Sequence, residues 1–463
     1  MTLSLKKNMD LTEGNIVRQL VVFAFPLMLS SLFQNLYNTA DTLIVGRFVG
    51  PTALAAVGST GNVTGLIICF FIGMGTGAGV IISQAFGQRD GEALSKGVHT
   101  AIAMALLMGV ILGILGIVLT RPILKMMGTP EDVMEEATLY LQINFMGLIT
   151  TTLYNITSGI LRAIGDSTRP FYYLVISGIT NVVLNVIFVV GFHMGVAGVA
   201  IPTVISQALS AALALRALAK ADGAYQFHWR ELKMDWPTFG RIAKVGLPAG
   251  VQSMVINLSN VIIQSQINVF GSAAMAGHAA ASKIDGYIYM PLGALSLANT
   301  TFVAQNLGAG RLKRARKGAR TSLLLGALVT LVMGLSAAAA ARPLVGMFSD
   351  EAEVIRFGIM SLTIRAVTYA LYVPTDVLSG TIRAAGNGVV PMAVSLITMC
   401  LLRIVWLWIA IPIWHEYWVV LASYPVTWVL ASGSYVVYYL SGRWLKNWKE
   451  KDSQDSEVIA ESN

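Results

Sequence analysis

Asp41 is a single carboxylate inside a long apolar stretch, and Gln34 precedes it by seven residues. Seven residues make nearly two helical turns, so Gln34 keeps near the face of Asp41 but about two turns away from it. Asn181 and Asn185 stand four apart in another apolar stretch, a spacing that puts both amides on one helix face. Thr203 follows in the next stretch. Counted at 1.5 Å per residue, Asp41, Asn181, Asn185 and Thr203 fall roughly 8–15 Å below the outer ends of their helices. One carboxylate, two amides and a hydroxyl at similar depth can close around a small cation. A charged side chain at mid-membrane costs about 2.5–3.5 kcal/mol and is rarely kept without use. Asp41 is then either a proton carrier or the anionic ligand of a Na⁺ site with Asn181, Asn185 and Thr203. The competing use of the same residues is structural, as interhelical hydrogen bonds.

The stretches that carry these residues set the fold class. Of 463 residues 55% are hydrophobic and 12% charged, with a mean hydropathy of +0.67; a soluble chain carries about 25% charged residues. Twelve apolar stretches stand near 20–46, 54–84, 97–120, 134–158, 170–191, 196–219, 238–268, 273–303, 321–341, 354–378, 389–412 and 418–440. Each is close to the ~20 residues that span a hydrocarbon core, and none shows the ten-residue alternation of a membrane barrel. The expectation is an all-α polytopic membrane protein with twelve transmembrane helices, which excludes soluble enzymes and nucleic-acid binders. No signal peptide with a short apolar core opens the chain.

The net charge of +8 lies in short loops. With the N-terminus, the loops after even-numbered helices and the C-terminus on one side, that side holds 24 of the 32 Lys and Arg. The other holds five: Arg47, Arg121, Lys125, Arg342 and Arg356. Such a split predicts both termini in the cytoplasm and an inner (plasma) membrane location.

Two halves match at an offset of 221. Arg121-Pro122 recurs as Arg342-Pro343, Gln84…Gly87 as Gln305…Gly308, and Ser158-Gly159-Ile160-Leu161-Arg162-Ala163-Ile164-Gly165 as Ser379-Gly380-Thr381-Ile382-Arg383-Ala384-Ala385-Gly386. Pro26 pairs with Pro248 at 222. Six helices per unit return the chain to its starting side, so the halves are parallel repeats, a design that favours a carrier with alternating access over a pore. The expected division is a cytoplasmic segment at 1–19, a first lobe at 20–219, a cytoplasmic linker at 220–237, a second lobe at 238–440 and a disordered cytoplasmic tail at 441–463.

The repeat also acts as an internal control. Asp41, Asn181, Asn185 and Thr203 align with Ile263, Leu402, Trp406 and Tyr424, so the scaffold accepts apolar groups at most of these places. In the second half Lys283, Asp285 and Asp376 are secondary candidates. Lys283 and Asp285, two apart on one helix, point to different faces; Asp376 can equally be an interfacial cap. Arg365 and Arg403 can neutralise buried carboxylates. Gly73, Gly75, Gly77 and Gly79 lack the Gly-Lys-Ser/Thr of a phosphate loop and read as close helix packing. Pro26, Pro248 and Pro374 are expected to bend their helices. Cys69 and Cys400 read as packing residues, and the five histidines show no metal-ligand spacing.

Pro26, the Gln34…Asn38…Asp41 helix, Ile82-Ser83-Gln84…Gly87 with Ala304-Gln305…Gly308, and the paired Arg-Ala-x-Gly motifs at 162–165 and 383–386 together resemble the multidrug and toxic compound extrusion (MATE) family of bacteria, over about residues 10–445. The resemblance implies a V-shaped pair of six-helix lobes that exports organic, often cationic and aromatic compounds by H⁺ or Na⁺ antiport. In the branch with a first-lobe site, Gln, Asp, Asn and Thr stand at the positions of Gln34, Asp41, Asn181 and Thr203; where that branch often has a second acid, this chain has Asn185. The other branch relies on acids of the seventh and tenth helices. Here the seventh has none and Asp376 is at a different spacing from Arg383, so coupling is expected in the first lobe. The expected partners are small organic substrates and the bilayer, with no nucleic acid, no cofactor beyond the coupling ion, no enzymatic activity and a monomeric state. Rival readings are a lipid-linked precursor flippase of the same superfamily, a membrane-embedded transferase and a channel.

Overall fold

A computed structural model describes residues 9–446 and 448. Residues 1–8 of the expected N-terminal segment, and 447 and 449–463 of the expected tail, lie outside the described residues. The chain runs through α1 (Ile16–Ile44), α2 (Pro51–Gln88), α3 (Gly91–Met126), α4 (Glu131–Met146), α5 (Leu148–Ala163), α6 (Thr168–Val186), α7 (Ala197–Ala219), α8 (Trp236–Asn268), α9 (Ser272–Gly308), α10 (Leu312–Ala339), α11 (Ala341–Gly346), α12 (Ala352–Ala384), α13 (Val389–Ser395), α14 (Leu402–Ile413) and α15 (Tyr417–Leu440). The protein is an all-helical polytopic membrane protein. Ten helical segments among the described residues are long and apolar enough to cross a membrane. The other two predicted stretches are helical as well: 273–303 lies within α9, and 134–158 is divided between α4 and α5 at Gly147. Among the described residues three π-helical segments interrupt the regular pitch, at Val45–Val49, Ile187–Gly191 and Leu396–Leu401.

The offset of 221 recurs as geometry. In the first half α5 stops at Gly165, whose φ of +91° only glycine adopts without strain. Its N–H bonds the Arg162 carbonyl at 3.0 Å, and the Asp166 N–H bonds Leu161 at 2.9 Å. In the second half α12 stops at Gly386, also at φ +91°, with Gly386 to Arg383 at 2.8 Å and Asn387 to Ile382 at 3.3 Å. This pair of bonds is the Schellman stop of a helix. The next residue then opens the following helix: Asp166 Oδ1 accepts the Arg169 N–H at 3.0 Å, and Asn387 Oδ1 accepts the Val390 N–H at 3.1 Å. The paired Arg-Ala-x-Gly motifs are therefore stop-and-restart signals.

Close helix approach is repeated too. A Cβ on Gly113 of α3 would lie 2.9 Å from the Phe145 carbonyl oxygen of α4, and its counterpart Gly334 of α10 lies under the Ala366 carbonyl of α12. Small residues permit such approach where no aqueous driving force holds helices together. Gly334→Val is expected to cost roughly 1–3 kcal/mol or more through overpacking, read as a lower midpoint in thermal unfolding of detergent-purified protein; an unchanged midpoint would show that the two backbones can part freely. Of the α2 glycines Gly77 behaves likewise, since a Cβ on it would meet the Gly246 backbone nitrogen at 2.7 Å, whereas one on Gly75 or Gly79 would come no nearer than 3.7 Å to any atom.

The chain forms two compact units. One contains Leu29–Gly246 with residues 9–10, the other Leu11–Met28 with the chain from Leu247 onward. The first has its core at Met74, Ile82, Ile102, Ile156, Ile160 and Ile242, the second at Ile263, Ile284, Leu362, Tyr369, Leu421 and Trp428. Both α1 and α8 are thus divided between units, two residues after Pro26 and one before Pro248. Within the second unit, Leu11 N–H bonds Gln305 Oε1 at 3.2 Å, Asn306 Nδ2 bonds the Leu11 carbonyl at 3.1 Å, and Arg311 pairs with Glu13 at 2.9 Å. Within the first, Asp235 N–H bonds Thr100 Oγ1 at 3.2 Å and His228 N–H bonds His99 Nε2 at 3.1 Å.

Candidate functional site

In the first unit three helices bring four of the predicted residues into one row. Asp41 sits three residues before the end of α1, just ahead of the π segment Val45–Val49. Asn181 and Asn185 lie on α6, one turn apart and both fully buried, ahead of the π segment Ile187–Gly191. Thr203 follows Pro202 on α7. Asn185 Nδ2 donates to Asp41 Oδ1 at 2.5 Å and to Asn181 Oδ1 at 2.9 Å. Asn181 Nδ2 donates to Thr203 Oγ1 at 3.2 Å, and that hydroxyl donates to the Val199 carbonyl at 3.0 Å. The row runs from carboxylate to backbone without a break. A π turn widens the helix by one residue and is frequent where side chains must be re-aimed.

One atom of the row is left over: Asn185 Oδ1 is buried and has no hydrogen-bond partner among the described residues. It stands beside the carboxylate, as an acceptor with nothing to accept. Among the described residues no three of His, Cys, Asp and Glu come together, so a cation here would be held by one carboxylate with neutral amide and hydroxyl oxygens. Such an oxygen set suits a proton or a hard monovalent ion rather than a transition metal.

Gln34 is exposed, two turns earlier on α1, and among the described residues makes no hydrogen bond to the row. Sequence reasoning passed over two tyrosines. The Tyr37 phenol and Tyr140 of α4 both lie in the electrostatic reach of the Asp41 carboxylate. Tyr37 is one turn before Asp41 on one face of α1, so its spacing alone was a sufficient signal. Tyr140 comes from a distant stretch and carried none.

The second-unit candidates do not form a counterpart. Asp285 pairs with Arg365 at 2.7 Å, both nearly fully buried. Arg365 also bonds Ser361, and His278 Nδ1 meets the same Ser361 Oγ at 2.9 Å. Lys283 is exposed on another face of α9. Asp376 of α12 accepts from the Tyr289 hydroxyl at 3.4 Å, while its own carbonyl accepts from Ser296 Oγ at 3.0 Å. The expectation that both arginines neutralise carboxylates holds for Arg365 alone: Arg403 forms no ion pair among the described residues. It reaches hydroxyls on α8 and α15, and the buried acid nearest in sequence logic, Asp285, is already taken.

Comparison with known proteins sets this geometry in a family. The MatE family model matches twice, over residues 26–187 and 248–409, once in each half. The chain belongs to the MatE family. This MatE protein is 30% identical over 392 residues to the probable multidrug resistance protein YoeA of Bacillus subtilis (strain 168), covering 83% of this chain and 85% of the relative. It is 24% identical over 364 residues to the FAD transporter of Shewanella oneidensis, covering 76% of this chain and 79% of that one. Among solved structures it is similar to MATE in the bent conformation, with a TM-score of 0.89 at 21% identity, covering 96% of this chain and 100% of the other. That likeness shows the MatE fold.

Proposed function

We propose that this protein is a secondary active multidrug efflux transporter of the plasma membrane. It exports organic compounds, often cationic and aromatic, by alternating access in exchange for H⁺ or Na⁺ taken up at Asp41. The observation that supports the reading best is the unbroken row Asp41–Asn185–Asn181–Thr203, with an unpartnered buried Asn185 Oδ1 beside the carboxylate. The relatives named for multidrug resistance and export support the class of substrate.

The chemistry follows from the donors and acceptors. With Asp41 ionised, the Asn185 N–H faces a negative oxygen, as a charge-assisted bond requires. Protonation of Asp41 turns one carboxyl oxygen into a donor, and Na⁺ would call for oxygen in place of the N–H. Either event rewards a rotation of the Asn185 amide, which presents Oδ1 to Asp41. Asn181 and Thr203 are chained to that amide, so uptake of the ion at α1 is felt on α6 and α7. The same movement of the row loosens the substrate for release outward, and discharge of the ion on the inner face resets it. Both termini face the cytoplasm in this scheme, and the monomer is the working unit.

The test is dye efflux from proteoliposomes under separately imposed pH and Na⁺ gradients. Uphill extrusion is expected under one of the two gradients. Equal extrusion with neither gradient applied would overturn ion antiport.

A further inference from the structure

Arg403 is only 1% exposed, and it is the most deeply buried charged side chain among the described residues. It is the second residue of α14, two positions after the π segment Leu396–Leu401. Nη1 donates to Ser259 Oγ of α8 and Nη2 to Thr427 Oγ1 of α15, each at 3.0 Å. The Tyr424 ring lies against the guanidinium, 4.9 Å from Cζ. Neither hydroxyl carries charge, and both pass their own protons on, Ser259 to the Met399 carbonyl and Thr427 to the Ser423 carbonyl. Nε is buried with no hydrogen-bond partner among the described residues.

The fully buried charged side chains among the described residues are Arg365, Arg403 and Asp285. Asp285 is spoken for by Arg365, and the charge of the half-buried Asp376 is met by that of the half-buried Arg383. One positive charge is left over, on a group with five N–H donors and no acceptor. Buried charges are paired in proteins because an isolated one is very costly. In the repeat, Leu402 and Tyr424 stand where the first lobe has Asn181 and Thr203. The second lobe thus sets a guanidinium, and no carboxylate, next to the register of the cation row. All three π segments lie within four residues of Asp41, Asn185 or Arg403, and such turns cluster at working sites.

We propose that Arg403, held by Ser259 and Thr427 with its face on Tyr424, binds a small monovalent anion of the chloride class at its Nε edge. The size follows from burial, which admits no large solute, and the single charge from the surplus of one. This inference is independent of the ion taken up at Asp41.

The experiment measures binding of radiolabelled chloride to the full-length protein in detergent, at constant ionic strength with gluconate as the balancing anion. Saturable binding to one site is expected, with thermal unfolding shifted upward by chloride as ligand linkage requires. Arg403→Gln is expected to weaken chloride binding roughly tenfold or more, as loss of a charge-assisted donor does, whereas Arg356→Gln, at an exposed arginine, leaves it unchanged. No saturable binding to the unmodified protein, or undiminished binding to folded Arg403→Gln, overturns the assignment. Should Arg403→Gln fail to fold, crystals of the unmodified protein grown with bromide decide. Anomalous density at hydrogen-bonding distance from Nε, about 3–3.5 Å for a halide, is expected, and its absence there overturns the site.

Discussion

Asp41→Asn protein is expected to fold, to bind dye and to extrude none of it against a gradient. The substitution keeps an oxygen for the Asn185 Nδ2 donor that now reaches Asp41 Oδ1 at 2.5 Å, so the row of side chains survives while its one exchangeable charge is removed. One charge moved through 100 mV supplies ~2.3 kcal/mol, and each ~1.4 kcal/mol supports a tenfold gradient. A single coupled ion therefore sustains a dye ratio of roughly fiftyfold, and the variant should relax it to unity. Parallel measurement of dye binding separates the loss of coupling from a loss of fold. Uphill extrusion by Asp41→Asn at the unmodified rate would remove Asp41 from the mechanism. Thr203→Val, at the far end of the row, is expected to weaken extrusion without abolishing it, because the charge remains in place.

The second large effect concerns stability. Asp285→Leu alone is expected to lower the stability of the protein by about 3–5 kcal/mol, because it strands the buried Arg365 without its counter-charge. Asp285 and Arg365 meet at 2.7 Å with side-chain exposures of 7% each, so solvent screens little of the pair. Replacing both residues at once, as Asp285→Leu with Arg365→Met, should recover most of that loss, since a buried pair is often no better than apolar groups of like volume. Fluorescence-detected thermal unfolding reads both. A double variant as unstable as the single one would mean that Arg365 is needed for its bonds to Ser361 and Ser282 rather than for its charge. Transport by the double variant then shows whether the pair is architecture alone.

The fold was largely legible because apolar run length and the offset of 221 are properties of the chain itself. The Arg-Ala-x-Gly repeats carried more than homology: a glycine forced to φ +91° and an Asx cap behind it mark the same turn in each half. The break of the stretch 134–158 at Gly147 was not legible, because it arises where Gly147 packs under Val204 from α7. In the first lobe the four-residue spacing of Asn181 and Asn185 was enough to place them on one face, and depth counting brought Asp41 and Thr203 to their level. Gln34 stands two turns from Asp41, as its seven-residue spacing implies, and among the described residues makes no hydrogen bond to the row. The pairing of Asp285 with Arg365 was beyond sequence reasoning, for 80 residues separate them and no periodicity links α9 to α12. The same holds for Arg403, whose lack of an acidic partner among the described residues is a fact of three packed helices.

One feature of the chain's path bears on how such a molecule can be made. Pro26 and Pro248 each stand within two residues of the place where a helix passes from one compact unit to the other. The stretch Leu11–Met28 finds its partners on residues some three hundred positions later, and Ile242 completes a core begun long before it. The segment that leads into the first helix therefore gains these partners only after the ribosome has delivered residues 305 and 306. A cut within 220–237 would leave Leu11–Met28 on one piece and the rest of its unit on the other, and would take Ile242 from the core that it completes.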